Sequence, residues 1–510
     1  MAGDNRPRVY NLRLEDVLDD GNIWAVTPEA RLAQTFGTLS ELVAMHAKRA
    51  PARRAVVEGE RHLDWGELDT AATRVAARLQ QDGLQAREVI AICAPASIEY
   101  VVVFVGALRA GLTVAPISPT LTAESIAAMI ADCGARRLYR GEALDAWLAP
   151  PDATPQPVEV GPDDAFNIIY SSGTTGTPKG IVQPNAMRWA HMQRGPAYGY
   201  SPDSVTLIST PLYSNTTLVA VFPTLATGGT LVLMPKFDAA GYLTLAERHR
   251  ATHTMLVPVQ YSRLMALADF GRFDLSSFHM KFSTSAPFAA ALKADVLARW
   301  PGGLIEYYGM TEGGATAVLV AHEHPEKLHT VGRPAPGHEF RVIDDAGVEL
   351  PRGATGELVG RSVAMMTRYH NQPRATAEAE WHDAQGRRFI RTGDVGRFDD
   401  DGFIALLDRR KDVIISGGFN VYPSDLEAVL AAHPDVAEAA VVAKPSTEWG
   451  ETPAAFVVAR AGQALDADHL KQWANARLGR MQRIAEVRVV EALPRSSAGK
   501  VLKRALREGL

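Results

Sequence analysis

The feature that most restricts this chain is the alternation of helix-period and short apolar segments through its first third. From Leu68 through Ala72, Val75 and Leu79, small and apolar residues recur at helical spacing, and Gly83 is placed to end that helix. The strand-like EVIAICA follows, then a helix around residues 99–110, the apolar run TVAPI, and a strand AFNIIY that enters a glycine-rich turn. A helical stretch, AMRWAHMQ, lies beyond. This order predicts an α/β fold, and strand, glycine-rich turn and helix in succession mark where such sheets bind ligands.

At 510 residues the chain exceeds one ordinary core, so two or more domains are expected. The character changes near a charge cluster at Asp408–Asp412, after which come a short strand, a double glycine and a helix. Ser424, with Glu427 three residues on, reads as a capping box opening that helix. The remainder reads as a small α+β domain with strands AEAAVVAK, AAFVVAR and VRVVEAL. We divide the chain into 1–408 and 409–510. The charged connector suits a hinge, with a solvated turn as the plainer alternative.

A formal net charge of -5 offers no basic surface to attract nucleic acid or anionic lipid. Cys93 and Cys133 make neither a disulfide framework nor a zinc site, and Cys93, inside an apolar run, reads as a small buried hydrophobe. The N-terminal segment has mixed charge and no apolar signal core, which points to the cytoplasm. No charged residue lies between Asp203 and Lys236, but Pro211, Pro223 and Gly228-Gly229 interrupt the segment. Two short buried elements explain it better than a membrane span. His322, His324 and His329 in HEHPEKLH lack zinc-site spacing and read as a solvent loop.

Four motifs carry chemistry. In YSSGTTGTPKG, residues 170–180, the hydroxyls of Ser171, Ser172, Thr174 and Thr175, the amide of Gly173 and the charge of Lys179 can ring a triphosphate. The spelling is not that of a Walker A loop, because Gly180 follows Lys179 where Ser or Thr is required. In EYYGMTEGG, an aromatic beside Gly309 can stack on a base, and Thr311 and Glu312 offer hard oxygens to Mg²⁺. Asp394 and Arg409 are candidate partners for ribose hydroxyls, and Lys500 follows a small-residue turn in LPRSSAGKVLKR. Each motif alone also fits a polar loop, a satisfied strand end or a basic tail.

Together and in this order, the motifs resemble those of the adenylate-forming superfamily of acyl-CoA synthetases, amino-acid adenylation domains and beetle luciferases. The resemblance implies a large α/β domain of stacked sheets (αβαβα-like) with a β-barrel-like subdomain, and a small mobile C-terminal α+β domain. It assigns Ser171, Ser172, Gly173, Thr174, Thr175, Ser285, Ala286, Pro287, Glu306, Tyr307, Tyr308, Gly309, Met310, Asp394 and Arg409 to ATP and AMP. It makes Lys500, Glu312, Thr311 and Lys179 catalytic, with Glu312 on Mg²⁺, Lys411 the hinge, and Ser416, Gly417 and Gly418 the side that meets the thiol. The implied reaction joins a carboxylic acid to coenzyme A through an acyl-adenylate. Loading of an acyl carrier protein is the alternative, and a non-catalytic nucleotide-binding homologue or a homodimer stays open.

Some positions depart from the family pattern. Ser214 stands where histidine is common, Thr284 and Ser285 replace a glycine pair of the pocket wall, and Ile415 replaces a second lysine, while Asn420 keeps an amide. The acid-free segment from Asp203 to Lys236 disfavours an amino-acid substrate, whose buried ammonium would lack a counter-charge. Tyr213, Ser214, Asn215, Thr216 and Thr284, with Tyr307 and Tyr308, are candidate lining for a fatty, aryl or alicyclic acid. Because the sequence stops shortly after Lys500 without a carrier domain, a standalone ligase is expected.

Overall fold

A computed structural model of the chain describes residues 26–171, 179–416, 419–447, 449–479, 482–495 and 500–510. Nine strands form the largest sheet. Its parallel centre runs, in spatial order, Gly303–Tyr308, Met280–Ser283, His253–Leu256, Val205–Ile208, Thr230–Leu233 and Arg54–Glu58, with antiparallel strands at both edges. A second sheet of six strands has Arg137–Tyr139, Val89–Ile92, Thr113–Pro116 and Ala165–Ser171 in parallel, then Lys179–Pro184 and Arg368–Tyr369 turned antiparallel.

Helix Ile98–Arg109 lies in the core that these two sheets share, and its sequence shows why. It is apolar around its whole circumference, so it cannot present a face to water. Gly106 lets it approach helix Trp65–Gln81, since a Cβ there would meet Val75 at 2.6 Å. Phe104, Phe166 and Phe222 pack as a triangle with ring centroids 5.0 to 6.0 Å apart. A second core on the far face of the nine-stranded sheet gathers Tyr242, Tyr261 and Trp300 from three helical segments. A third cluster tucks Cys93 and Cys133 with Ile126 and Met129 on the outer face of the six-stranded sheet. The result is the five-layer αβαβα stack, and both thiols are buried and free.

The next five strands, Glu339–Ile343, Gly356–Arg361, Glu380–His382, Arg388–Phe398 and Ile404–Arg409, make an antiparallel sheet whose pairings do not close into a ring among the described residues. The last sheet pairs Val436–Ser446 with Gly450–Ala459, which also carries Glu486–Val489 in parallel. It is a small α+β unit with its own core of Leu426, Leu430, Val441 and Val457.

Two expectations need correction. The uncharged segment forms three elements, not two, and Pro223 sits inside helix Asn215–Ala226 rather than breaking it. Pro223 falls in the last turn of that helix and is buried there. No described helix is long and apolar enough to cross a membrane. The Ser424 capping box does not form either. Helix Pro423–Ala431 starts with proline at its first position, Ser424 Oγ instead donates to the Leu407 carbonyl, and Glu427 accepts from Val441 N and pairs with Lys503. Tertiary partners outbid the local cap.

Candidate active site

The phosphate-loop candidate is flanked by two strands that pair with each other. Strand Ala165–Ser171 pairs antiparallel with Lys179–Pro184, bringing Ser171 opposite Lys179 and Tyr170 opposite Gly180. The expected strand–turn–helix order therefore fails. Helix Asn185–Gln193 starts only after the second strand. Ser172, Gly173, Thr174 and Thr175 lie outside the described residues, as does the side chain of Ser171.

Lys179 Nζ stands 4.9 Å from the ring centroid of Tyr369, which strand pairing places opposite Ile181. The Tyr369 hydroxyl donates to Glu312 Oε1 at 2.8 Å. Lys179, Tyr369 and Glu312 thus form one continuous edge, with Met310 packed against the apolar cluster that includes Tyr369. Burial first, and then Glu312, raises the Tyr369 pKa, keeping the phenol a donor. Gly313 fixes the turn after Glu312: its φ is +77°, and a Cβ would lie 2.1 Å from the Ala364 carbonyl. The Thr311 carbonyl accepts from Gln183 Nε2 at 2.6 Å, and Gln183 continues inward to Asn167 and the fully buried Arg188.

Strand Gly303–Tyr308 distributes its side chains by alternation. Tyr307 faces the first core and stacks on Phe282 at 5.5 Å, while Glu306 faces helix Ala290–Arg299 and pairs with Lys293. Burial outweighs Lys293 and raises the Glu306 pKa to about 7. The structure thus does not bring Glu306 together with the other expected nucleotide residues. Tyr308 stacks on Phe340 and donates to Asp394 Oδ2 at 2.8 Å, and Arg409 Nε meets Asp394 Oδ1 at 3.0 Å. Beyond Tyr308, Gly309 leaves room for close approach, since a Cβ there would find no atom nearer than 3.5 Å.

Lys500, far along the chain, joins this group. Its side chain keeps solvent access, yet crowding around the ammonium lowers its pKa, chiefly by desolvation and then by Arg409, against the pull of Asp394 and Glu312. The C-terminal unit therefore presents Lys500 to the charges of the larger one. The connector between them is tied to both sides. Arg409 and Arg410 reach back to Asp394, and to Glu357 and Asp345. Asp408 accepts from Ser424 N, and Asp412 pairs with Arg507. Lys411 sits exposed between these anchors. Ser416 is buried in strand Ile414–Ser416, and Ile415 and Phe419 are exposed; Gly417 and Gly418 lie outside the described residues.

Of the residues expected to line an acyl pocket, Tyr213, Ser214 and Asn215 are half-buried where helix Asn215–Ala226 begins, and buried Thr216 shares a hydroxyl hydrogen bond with Ser285. Ser285 has φ +82°, a left-handed backbone costing a non-glycine residue on the order of 1 kcal/mol or more. Thr284 and Ala286 flank it half-buried, and Pro287 is exposed. Three neighbours escaped the sequence reading: Tyr369, Arg194 and His338. None belongs to a motif, and only strand pairing or a contact spanning 144 positions, Arg194 to His338, brings them in.

Residues 43–370 match the AMP-binding enzyme family, and residues 425–500 match the AMP-binding enzyme C-terminal domain. The indoleacetate–CoA ligase of Aromatoleum aromaticum is 32% identical, covering 92% of this chain and 98% of its own. The fatty acid–[acyl-carrier-protein] ligase ScoC of Streptomyces coeruleorubidus is likewise 32% identical, over 92% and 96%. Among solved structures, ATP-bound MatB from Rhodopseudomonas palustris superposes with a TM-score of 0.83 at 29% identity, covering 92% of this chain and 98% of that one.

Proposed function

Because the chain belongs to the AMP-binding, adenylate-forming enzyme family, we propose that it is an AMP-forming acid–thiol ligase that converts a carboxylic acid, ATP and coenzyme A to an acyl-CoA, AMP and pyrophosphate. In the first half, a carboxylate oxygen attacks the α-phosphorus, the α–β phosphoanhydride bond breaks and pyrophosphate leaves. In the second, the thiol sulfur attacks the acyl carbon, AMP leaves and the thiol proton passes to solvent. The observation that carries this reading is Lys500, held in the field of Asp394 and Glu312 although it comes from the other unit.

An anion must approach a polyanion, so the residues act mainly by alignment and charge. Lys500 offsets charge between the carboxylate and the α-phosphate, Lys179 that on the leaving phosphates, and Asp394 receives the ribose beside Tyr308. Glu312, whose Oε1 accepts from Tyr369, would hold a Mg²⁺ ion as a hard carboxylate ligand. When bound, Mg²⁺ supplies further neutralisation of phosphate charge. Residues 1–408 and 409–510 act as two domains turning about Lys411, which exchanges Lys500 for the Ser416–Gly418 face. ATP and coenzyme A as substrates accord with a cytoplasmic location.

Likeness to ScoC favours an acyl carrier protein as the second candidate acceptor. A carboxylic-acid panel scored by pyrophosphate release, alone, with coenzyme A, and with a phosphopantetheinylated carrier protein, separates the two. Acid-dependent pyrophosphate release with AMP and thioester formed on coenzyme A is expected; no release with any acid overturns the reading.

A further inference from the structure

The helix that follows the hairpin carries Arg188 and His191, and its capping residue is Arg194. With His338 they form a group of four bases close enough to oppose one another's protonation. Among the described residues, neither arginine forms an ion pair with an Asp or Glu; Arg188 bonds only to Asn167 and Gln183, and Arg194 only to His338. Arg188 is completely buried, and its Nη1 has no hydrogen-bond partner, nor has Nδ1 of His191. Buried cations without counter-charge are among the costlier features a fold can hold.

The contact of Arg194 with His338 is internally unsatisfied. Thr316 N donates to His338 Nδ1 at 2.8 Å, so the single hydrogen of a neutral imidazole must sit on Nε2. There it faces the Arg194 guanidinium, which is itself donor only. Protonating the ring does not relieve this, and burial beside Arg194 lowers the His338 pKa to about 4. A group that only accepts hydrogen bonds, received by both in place of their direct contact, relieves the clash, and an anion does so while supplying the missing counter-charge.

The surroundings point to where that acceptor comes from. Tyr198 and Tyr307 flank Arg194, their rings meeting edge-on at 5.8 Å, and Tyr307 belongs to the strand that leads into Gly309–Glu312. Thr316 lies just past that same turn. Arg188 reaches the Thr311 carbonyl through Gln183, and Arg194 stands six residues further on, about 9 Å along a helix at 1.5 Å per residue. One end of this basic row underlies the reacting centre, and the other lies deeper along the wall that contains Tyr307.

We propose that Arg194, with His338, Tyr198 and Tyr307 around it, receives a second carboxylate of the acyl substrate, making the preferred substrate a dicarboxylic acid activated at the end remote from Arg194. This rests on the ligase reading and narrows its substrate class. The four bases also make an ammonium-bearing acid a poor occupant.

The test uses the full chain and pairs of matched acids, straight-chain and aryl, each with one or two carboxylates, scored by pyrophosphate release. Wild type is expected to prefer at least one diacid over its monoacid counterpart in kcat/KM. Arg194→Met should reduce that diacid-to-monoacid ratio by about 30-fold or more, mostly through KM, the scale for losing one partner of a buried charge pair. Arg194→Lys should recover part of it. A wild type that favours the monoacid in every pair overturns the proposal, as does a ratio unchanged within about threefold in Arg194→Met. Should Arg194→Met fail to fold, the wild-type ratio decides. Silence across the whole panel counts instead against the ligase reading.

Discussion

Asp394 and Arg409 face each other across two adjacent antiparallel strands, and carboxylate and guanidinium meet at 3.0 Å. Arg409 is also the last residue before the connector turn Arg410–Asp412. The acid expected at the ribose is thereby bonded to the residue from which the smaller unit departs. Tyr308 holds the other oxygen of Asp394. The connector and Asp394 are therefore mechanically joined.

Lys500→Ala is predicted to slow adenylation by about two orders of magnitude or more, the scale seen when a charge aimed at a transition state is removed. Turnover of a supplied acyl-adenylate to the thioester should persist. Pyrophosphate exchange and thioester assays on the same protein check this, and equal slowing of both halves would refute the role. Because desolvation lowers the Lys500 pKa, its protonated form is lost earlier as pH rises than for an ordinary lysine. Adenylation by the wild type should therefore fall on the alkaline side with a midpoint below about 10.4.

Lys411→Pro should leave pyrophosphate exchange largely intact while thioester formation collapses. Lys411 sits between anchors to both units, and proline restricts φ there without touching either set of ion pairs. Parallel loss of both half-reactions would argue against turning at this residue.

Tyr369→Phe keeps the ring under Lys179 but deletes the hydrogen bond to Glu312. A hydrogen bond to a charged group contributes about 1.5–3 kcal/mol. With Glu312 free to swing, the Mg²⁺ concentration giving half-maximal pyrophosphate release should rise by about tenfold, one decade for each 1.4 kcal/mol. An unchanged Mg²⁺ requirement would remove Tyr369 from the positioning of Glu312.

His253 lies buried against Tyr200 and Phe282, and desolvation lowers its pKa to about 4. The unfolded chain binds this proton near pH 6.5, whereas the folded chain waits until about 4, so stability is full above the first value and drains as pH falls toward the second. At pH 5 the loss from this residue is on the order of 2 kcal/mol. Urea unfolding at pH 7 and pH 5 should show a smaller drop for His253→Gln than for wild type; identical drops would refute the assignment.

Much of the architecture was legible along the chain. The helix ending before Gly83, the strands EVIAICA and AFNIIY, and the apolar helix Ile98–Arg109 follow from hydrophobic period and turn chemistry, which depend on near neighbours. The order of motifs was enough to identify the family. What failed were inferences that needed to know a residue's distant partner. Ser424 and Glu427 have the spelling of a cap, yet Leu407, Val441 and Lys503 claim them.

Three features were decided only in three dimensions. A strand, not a helix, follows the glycine-rich motif because Lys179–Pro184 finds a neighbour in both Ala165–Ser171 and Arg368–Tyr369. Glu306 and Tyr307, adjacent in sequence, part to opposite faces of one sheet, one to Lys293 and the other to Phe282. Arg194 acquires its meaning from His338, which arrives from a loop 144 positions on, past seven strands of the nine-stranded sheet. Sequence specifies local conformation through short-range sterics and apolar period; the partner of each buried charge is set by which elements pack together, a choice made by the burial of the whole core.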